Sequence, residues 1–302
     1  MLKLIAKFRH SARRLFWLWL LLCAPVVAYS AEPQPVALRH VRRVVLDPGH
    51  GGTNAGSIGI AGIAEKVLTL DYANAIAAWL RTHSTAEVLL TRQTDTDVGL
   101  RDRPRLANQW QADLLISIHA NSHELPQASG MEVFFLAADA VAQANRQLVE
   151  REEGGGPRDG VGAIPWSVSG IVTDLGAVAA HSRAEVFALQ LASALQKIRK
   201  DARFRGVKQA PFGVLKEAKM PAVVLEVGYI SHPLESKDLL DKKTPALFAQ
   251  AILAGMVALD TRIDLESKQE SGAGPLQGER SHTSANPRRH KANRNSGNRN
   301  NH

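Results

Sequence analysis

Cysteine is nearly absent from this chain: Cys23 is the single one in 302 residues. It sits in an apolar run, Leu15 to Ala28, that follows Lys3, Lys7, Arg9, Arg13 and Arg14 and leads into Ala28-Tyr29-Ser30-Ala31. A basic start, a short apolar stretch and small residues around a cut predict a signal peptide over 1–31, cleaved near Ser30 or Ala31. The mature chain then carries no thiol, which excludes disulfides and thiolate metal ligands and permits an oxidising compartment. Leu22 stands before Cys23 where a lipid anchor wants a small residue, which argues against lipidation. Ala12-Arg13-Arg14-Leu15-Phe16 also resembles a twin-arginine export signal.

Long apolar runs are lacking too. Leu15 to Ala28, interrupted by Pro25, falls short of the ~20 apolar residues that span a bilayer, so no transmembrane anchor is expected after cleavage. Charge of one sign is missing where folding would occur. The net charge is +8, from 37 Lys and Arg against 29 Asp and Glu. Thirteen of the basic and four of the acidic residues lie in 1–40 and 265–302, which leaves 24 against 25 in 41–264. The foldable part is therefore neutral, and no nucleic-acid partner is expected. From 265 to 302 the composition turns to Ser, Gly, Asn, Gln, Arg and His. So little apolar surface does not offset ordering entropy, which predicts a disordered basic tail.

What is present between Val41 and Asp260 is an α/β pattern without internal repeats. Apolar runs predict buried strands at Arg43 to Leu46, Glu87 to Thr91, Asp113 to His119, Met131 to Leu136 and Ala222 to Val227. Helical spacing lies between them, at Ala64 to Leu80 (burying Val67, Leu68, Leu70, Ala73, Ile76 and Ala77), Arg101 to Trp110, Ser182 to Ile198 and Pro245 to Leu259. This alternation predicts a single catalytic domain over 41–262 with a mixed, mostly parallel sheet flanked by helices on both faces. One stretch breaks it. Residues 137–180 hold a helix-like segment, then Gly154-Gly155-Gly156-Pro157 and a Gly-rich region. A connection of ~40 residues far exceeds ordinary α/β loops and marks an inserted lid or regulatory element.

Sites in such sheets lie off the carboxyl ends of strands. Three strand ends carry candidate chemistry: Asp47-Pro48-Gly49-His50-Gly51-Gly52, Ile116-Ser117-Ile118-His119-Ala120-Asn121 and Val224-Leu225-Glu226-Val227-Gly228. Glu65 opens the next helix, where a carboxylate also complements the helix dipole. Glu226, flanked by valines and a leucine, is costly to bury unless it is paired or faces a cation. Two imidazoles and a carboxylate make the donor set of a catalytic Zn²⁺, and a further Glu suits a general base. The HExxH helix pattern is absent, against a thermolysin-type protease.

Val44 to Gly52, Glu65 at its helix start, Leu115 to Asn121 and Pro221 to Ser231 together resemble the zinc-dependent N-acetylmuramoyl-L-alanine amidases of the periplasmic cell-separation type, amidase type 3. The resemblance covers about Val41 to Leu259. It implies one Zn²⁺ per chain held by His50, Glu65 and His119, with Glu226 as catalytic base. It also implies a periplasmic hydrolase that cuts the amide between N-acetylmuramic acid and L-alanine, with peptidoglycan as its partner, in wall turnover and daughter-cell separation. Asn121, and Ser122 beside it, are candidate substrate contacts. Several members of that family block the cleft with an inserted helix whose carboxylate reaches zinc until an activator protein displaces it. The matching segment here offers Glu150, Glu152 and Glu153. Only Glu32 to Arg42 separates the expected leader from the core, so the separate wall-binding domain of some relatives is not expected. Two other functions fit the same residues: a catalytically inactive peptidoglycan-binding module, and a zinc peptidase acting on stem peptides.

Overall fold

A computed structural model describes residues 34–136 and 175–272. Strands β1 (Arg43–Pro48), β2 (Glu87–Leu90), β3 (Leu114–Asn121), β4 (Met131–Leu136), β5 (Phe204–Ala210) and β6 (Ala222–Tyr229) form one sheet in the order β2-β1-β3-β6-β4-β5. Helices are α1 (Glu65–His83), α2 (Asp102–Gln109), α3 (Leu175–Ile198), α4 (Gly213–Lys216), α5 (Pro233–Leu239) and α6 (Thr244–Gly272). The pairings β1–β2, β1–β3, β3–β6 and β4–β5 are parallel, and β4–β6 alone is antiparallel. The mixed, mostly parallel sheet expected from the sequence is thus the one observed.

Side-chain alternation sorts the core into two layers. Val44, Leu46, Ile116, Ile118, Val133, Phe135, Val223 and Leu225 face α1, α3 and α6, and pack on Ile76, Leu80, Phe187, Leu191 and Ile252. Val45, Leu115, Phe134 and Val224 face the other way, against Ala107 of α2 and Val214 and Leu215 of α4. Each fully buried aliphatic side chain contributes about 1.5–3 kcal/mol of transfer free energy, and the first layer is the larger. The second layer is thin, and it stops short of the carboxyl ends of β1, β3 and β6.

Several boundaries differ from the sequence expectation. Val67 is 44% exposed rather than buried, and Thr69 and Tyr72 are buried in the helix instead. Tyr72 reaches the core because its hydroxyl donates to the Leu239 carbonyl at 3.0 Å. The last helix runs past Leu259 to Gly272, so 265–272 are helical rather than disordered. The chain divides into two units, Met1–Asp264, which holds the whole sheet, and Leu265–His302. Thr244–Gln269 is long and apolar enough to cross a membrane, but Phe248, Ala249, Ile252, Met256 and Leu259 are buried as in a core helix. Likewise 175–180 open α3 rather than close the insertion. The expected leader 1–31, the rest of the insertion and the rest of the tail lie outside the described residues.

Candidate metal centre

The centre is built where β1 turns into α1. His50 follows the end of β1 with φ +58°, a left-handed backbone rare for a side chain of its size. Gly49 beside it has no room for a Cβ, which would lie 2.4–2.7 Å from three atoms of the His119 ring. The two imidazoles therefore approach to 4.9 Å between centroids, nearly perpendicular at 77°. Glu65, the first residue of α1, is fully buried between them.

Its Oε1 lies 3.1 Å from His50 Nε2 and 3.2 Å from His119 Nδ1, and accepts from the Ala120 amide at 3.0 Å. Oε2 accepts from the Ser57 amide at 3.1 Å. Burial opposes ionisation of this carboxyl, but the hydrogen bonds from His119 and His50 outweigh it and hold Glu65 well below the usual carboxylate range. The helix-dipole account of Glu65 is therefore incomplete, since its oxygens are committed to the two rings. His50, Glu65 and His119 place one ligand atom each within 4.8 Å of one another, the only such cluster among the described residues. Nitrogen, nitrogen and oxygen donors without thiolate fit Zn²⁺ with a coordination position left for water.

Glu226 is fully buried in β6, opposite His119 of β3 in the parallel register. Paired residues on adjacent strands share a face, so Glu226 stands beside the metal centre. A small cavity of about 90 Å³ opens there, lined by His50, His119, Asn54, Leu100, Phe212 and Val214. Asn121 is brought to the same end of β3, but it is buried and its amide nitrogen faces Glu132 Oε2 at 3.4 Å. Ser122 is only partly buried. Glu150, Glu152 and Glu153 lie outside the described residues.

Sequence reading overlooked the residues that hold the turn. Arg103 of α2 donates to the Pro48 and His50 carbonyls at 2.8 and 2.9 Å and pairs with buried Asp47 at 2.7 Å. Arg92, just past β2, donates to the carbonyls of Pro48 (3.0 Å), Gly49 (2.8 Å) and Lys66 (2.8 Å). Asp47 also accepts from Thr91 and Ser117 at 2.5 and 2.7 Å. Burial raises its pKa, and Arg103 with these hydroxyls more than reverses that, leaving Asp47 below its ordinary value. The sequence signal was there: Arg92 immediately follows a buried strand, where a charged side chain must find acceptors within the protein.

Residues 44–258 match the family model described as N-acetylmuramoyl-L-alanine amidase. The chain belongs to the N-acetylmuramoyl-L-alanine amidase family. Among its relatives, amidase AmiA of Escherichia coli K12 is 32% identical over 220 residues, covering 72% of this chain and 75% of that one. Amidase LytC of Bacillus subtilis is 30% identical over 215 residues, covering 71% of this chain and 35% of its own length. Among solved structures, amidase AmiC2 of Nostoc punctiforme superposes with TM-score 0.53 at 25% identity over 72% of this chain and 95% of that one. An amidase from Clostridium difficile 630 superposes with TM-score 0.55 at 26% identity, over 75% and 98%. The family fold is thus the sheet described above, and the amidase carries its His-Glu-His cluster at the carboxyl end of that sheet.

Proposed function

We propose that this amidase is a zinc enzyme of the cell envelope that hydrolyses the amide between the lactyl group of N-acetylmuramic acid and L-alanine in peptidoglycan. The observation that carries this reading is the convergence of His50, Glu65 and His119 one strand away from Glu226, in a chain of the amidase family. His50, Glu65 and His119 would hold Zn²⁺, which when bound would supply Lewis acidity toward the amide carbonyl and toward a water. Glu226 would accept a proton from the attacking water and return it to the departing L-alanine amine. Arg92 and Arg103 keep His50 at its angle, so the centre is formed before substrate arrives.

The test is digestion of purified peptidoglycan by the chain and by Glu226→Gln, with products identified by mass and bound metal by elemental analysis. Stem peptides beginning in L-alanine are expected. Glu226→Gln should lower the rate by about 10²–10⁴ while keeping one zinc per chain. Cuts within the stem would establish a zinc peptidase instead. Wall binding with no release, even with added zinc, would leave a binding module.

The same reading puts the mature enzyme in the periplasm after removal of 1–31, with its catalytic domain at 41–262 and its work in wall turnover and daughter-cell separation. It also makes the segment about 137–180 a lid, with Glu150, Glu152 or Glu153 reaching the metal until an activator protein displaces it. The antiparallel β4–β6 pairing constrains that lid. β4 begins beside Glu226 and ends at Leu136, at the far end of the sheet, so such a carboxylate would be carried back about 20 Å, the length of a six-residue strand. Deleting 140–172 should raise the rate without activator. An unchanged rate would sink the lid.

A further inference from the structure

Arg205 and Lys208 lie three residues apart in β5, an odd spacing that puts side chains on opposite faces of a regular strand. Here they share one face. Met131 pairs with Phe204 but Val133 pairs with Val207, so β5 carries one extra residue in that interval. The bulge includes Gly206, with φ +114°. Both cations thereby reach Glu132 Oε1, Arg205 through Nε at 2.5 Å and Lys208 through Nζ at 2.8 Å.

Glu132 is 2% exposed, and its partner across the β4–β6 pairing is Glu226, with Cα atoms about 5 Å apart. His119 stands on the other side of Glu226. One face of the sheet therefore reads His119, Glu226, Glu132 and then the two cations. The Arg205 and Lys208 side chains are 30% and 33% exposed, and among the described residues Arg205 engages Glu132 only through Nε. The Tyr229 ring lies 5.4 Å from the guanidinium carbon, and the Phe134 ring 5.8 Å from the ammonium, which steadies both heads. The arginines that hold the turn after β1, Arg92 and Arg103, spend their donors on carbonyls there.

The two sides of the scissile amide differ in charge: the glycan is neutral there, whereas the stem peptide carries free carboxylates. We infer that Arg205 and Lys208 form a subsite for a stem-peptide carboxylate, which lays the peptide across the β4–β5 side of Glu226 and selects acidic stems. This rests on the amidase reading above. The terminal guanidinium nitrogens of Arg205 offer the two-pronged donor that a carboxylate fits, and Lys208 adds a point charge beside it.

The experiment compares kcat/KM for two matched muropeptides, one with the α-carboxylate of its second peptide residue free and one with it amidated. It uses the full chain, Arg205→Gln, Arg205→Lys and Lys208→Gln, with thermal midpoints as a folding control. The acid-to-amide ratio should be about ten in the parent. It should fall to near one in Arg205→Gln and Lys208→Gln and lie between in Arg205→Lys. If Arg205→Gln does not fold, Lys208→Gln decides alone. A parent ratio near one, or a ratio kept by the folded variants, overturns the subsite while hydrolysis of both substrates leaves the amidase reading intact. Hydrolysis of neither substrate overturns both.

Discussion

Gly49 and Asp47 act on the metal centre in different ways. A methyl at Gly49 would meet the His119 ring, so Gly49→Ala should displace a ligand more than it unfolds the chain. The expected result is a zinc affinity lower by at least about tenfold, for a loss of about 1.4 kcal/mol or more, read by chelator competition beside a nearly unchanged urea midpoint of the metal-free chain. Asp47→Asn strands the buried charge of Arg103 and should cost about 3–5 kcal/mol of stability at neutral pH. Because the native carboxyl is held below 3.8, its stabilisation is complete above that value and is lost as pH falls through the lower native one. Urea unfolding of parent and variant should therefore differ most at pH 7, and the difference should shrink below about pH 4.

At the scale of elements, the turn after β1 depends on guanidinium groups from two separate segments. Lysine at either position keeps the charge but does not span several carbonyls at once. Arg103→Lys and Arg92→Lys should each destabilise by about 1–3 kcal/mol and speed amide exchange at Gly49 to Gly52, measured by hydrogen exchange. The strands next to the site were legible in sequence because their runs are apolar on both faces, as in Val44 to Leu46 and Ala222 to Leu225. β5 was not. Its sequence, FRGVKQA, interrupts apolar alternation with a glycine and three polar residues, and six of its seven residues are only half-buried, as suits a strand at the edge of the sheet. α5 was missed for its length; its start is set by Pro233 and by the His232 ring accepting from the Leu234 and Glu235 amides. The four candidate site residues stand out singly as strand-end or helix-start groups, but only the register joins Glu226 to His119 and to Glu132. Pairing between β3, β6 and β4 is long-range, and no local pattern encodes it.

For the whole molecule, metal should act as a folding ligand. The three ligands come from the β1–α1 turn, α1 and β3, so an ion that binds only the native state stabilises by mass action, about 4 kcal/mol at a thousandfold excess over Kd. Calorimetry should show a raised Tm with zinc, reversed by chelator, and no rise for His50→Ala.

Asp260 of α6 accepts from the Arg39, His40 and Val41 amides at 2.6–3.2 Å. That contact ties the segment leading into β1 to the last helix at the amino end of the sheet, whereas the cleft opens at the carboxyl end. Residues 39–41 and Asp260 thus meet at the end of the sheet opposite the metal centre. A tether joined to the chain just ahead of Arg39, whether a bead, a surface or a second domain, should leave the metal centre facing outward and free to meet a polymer far larger than the enzyme.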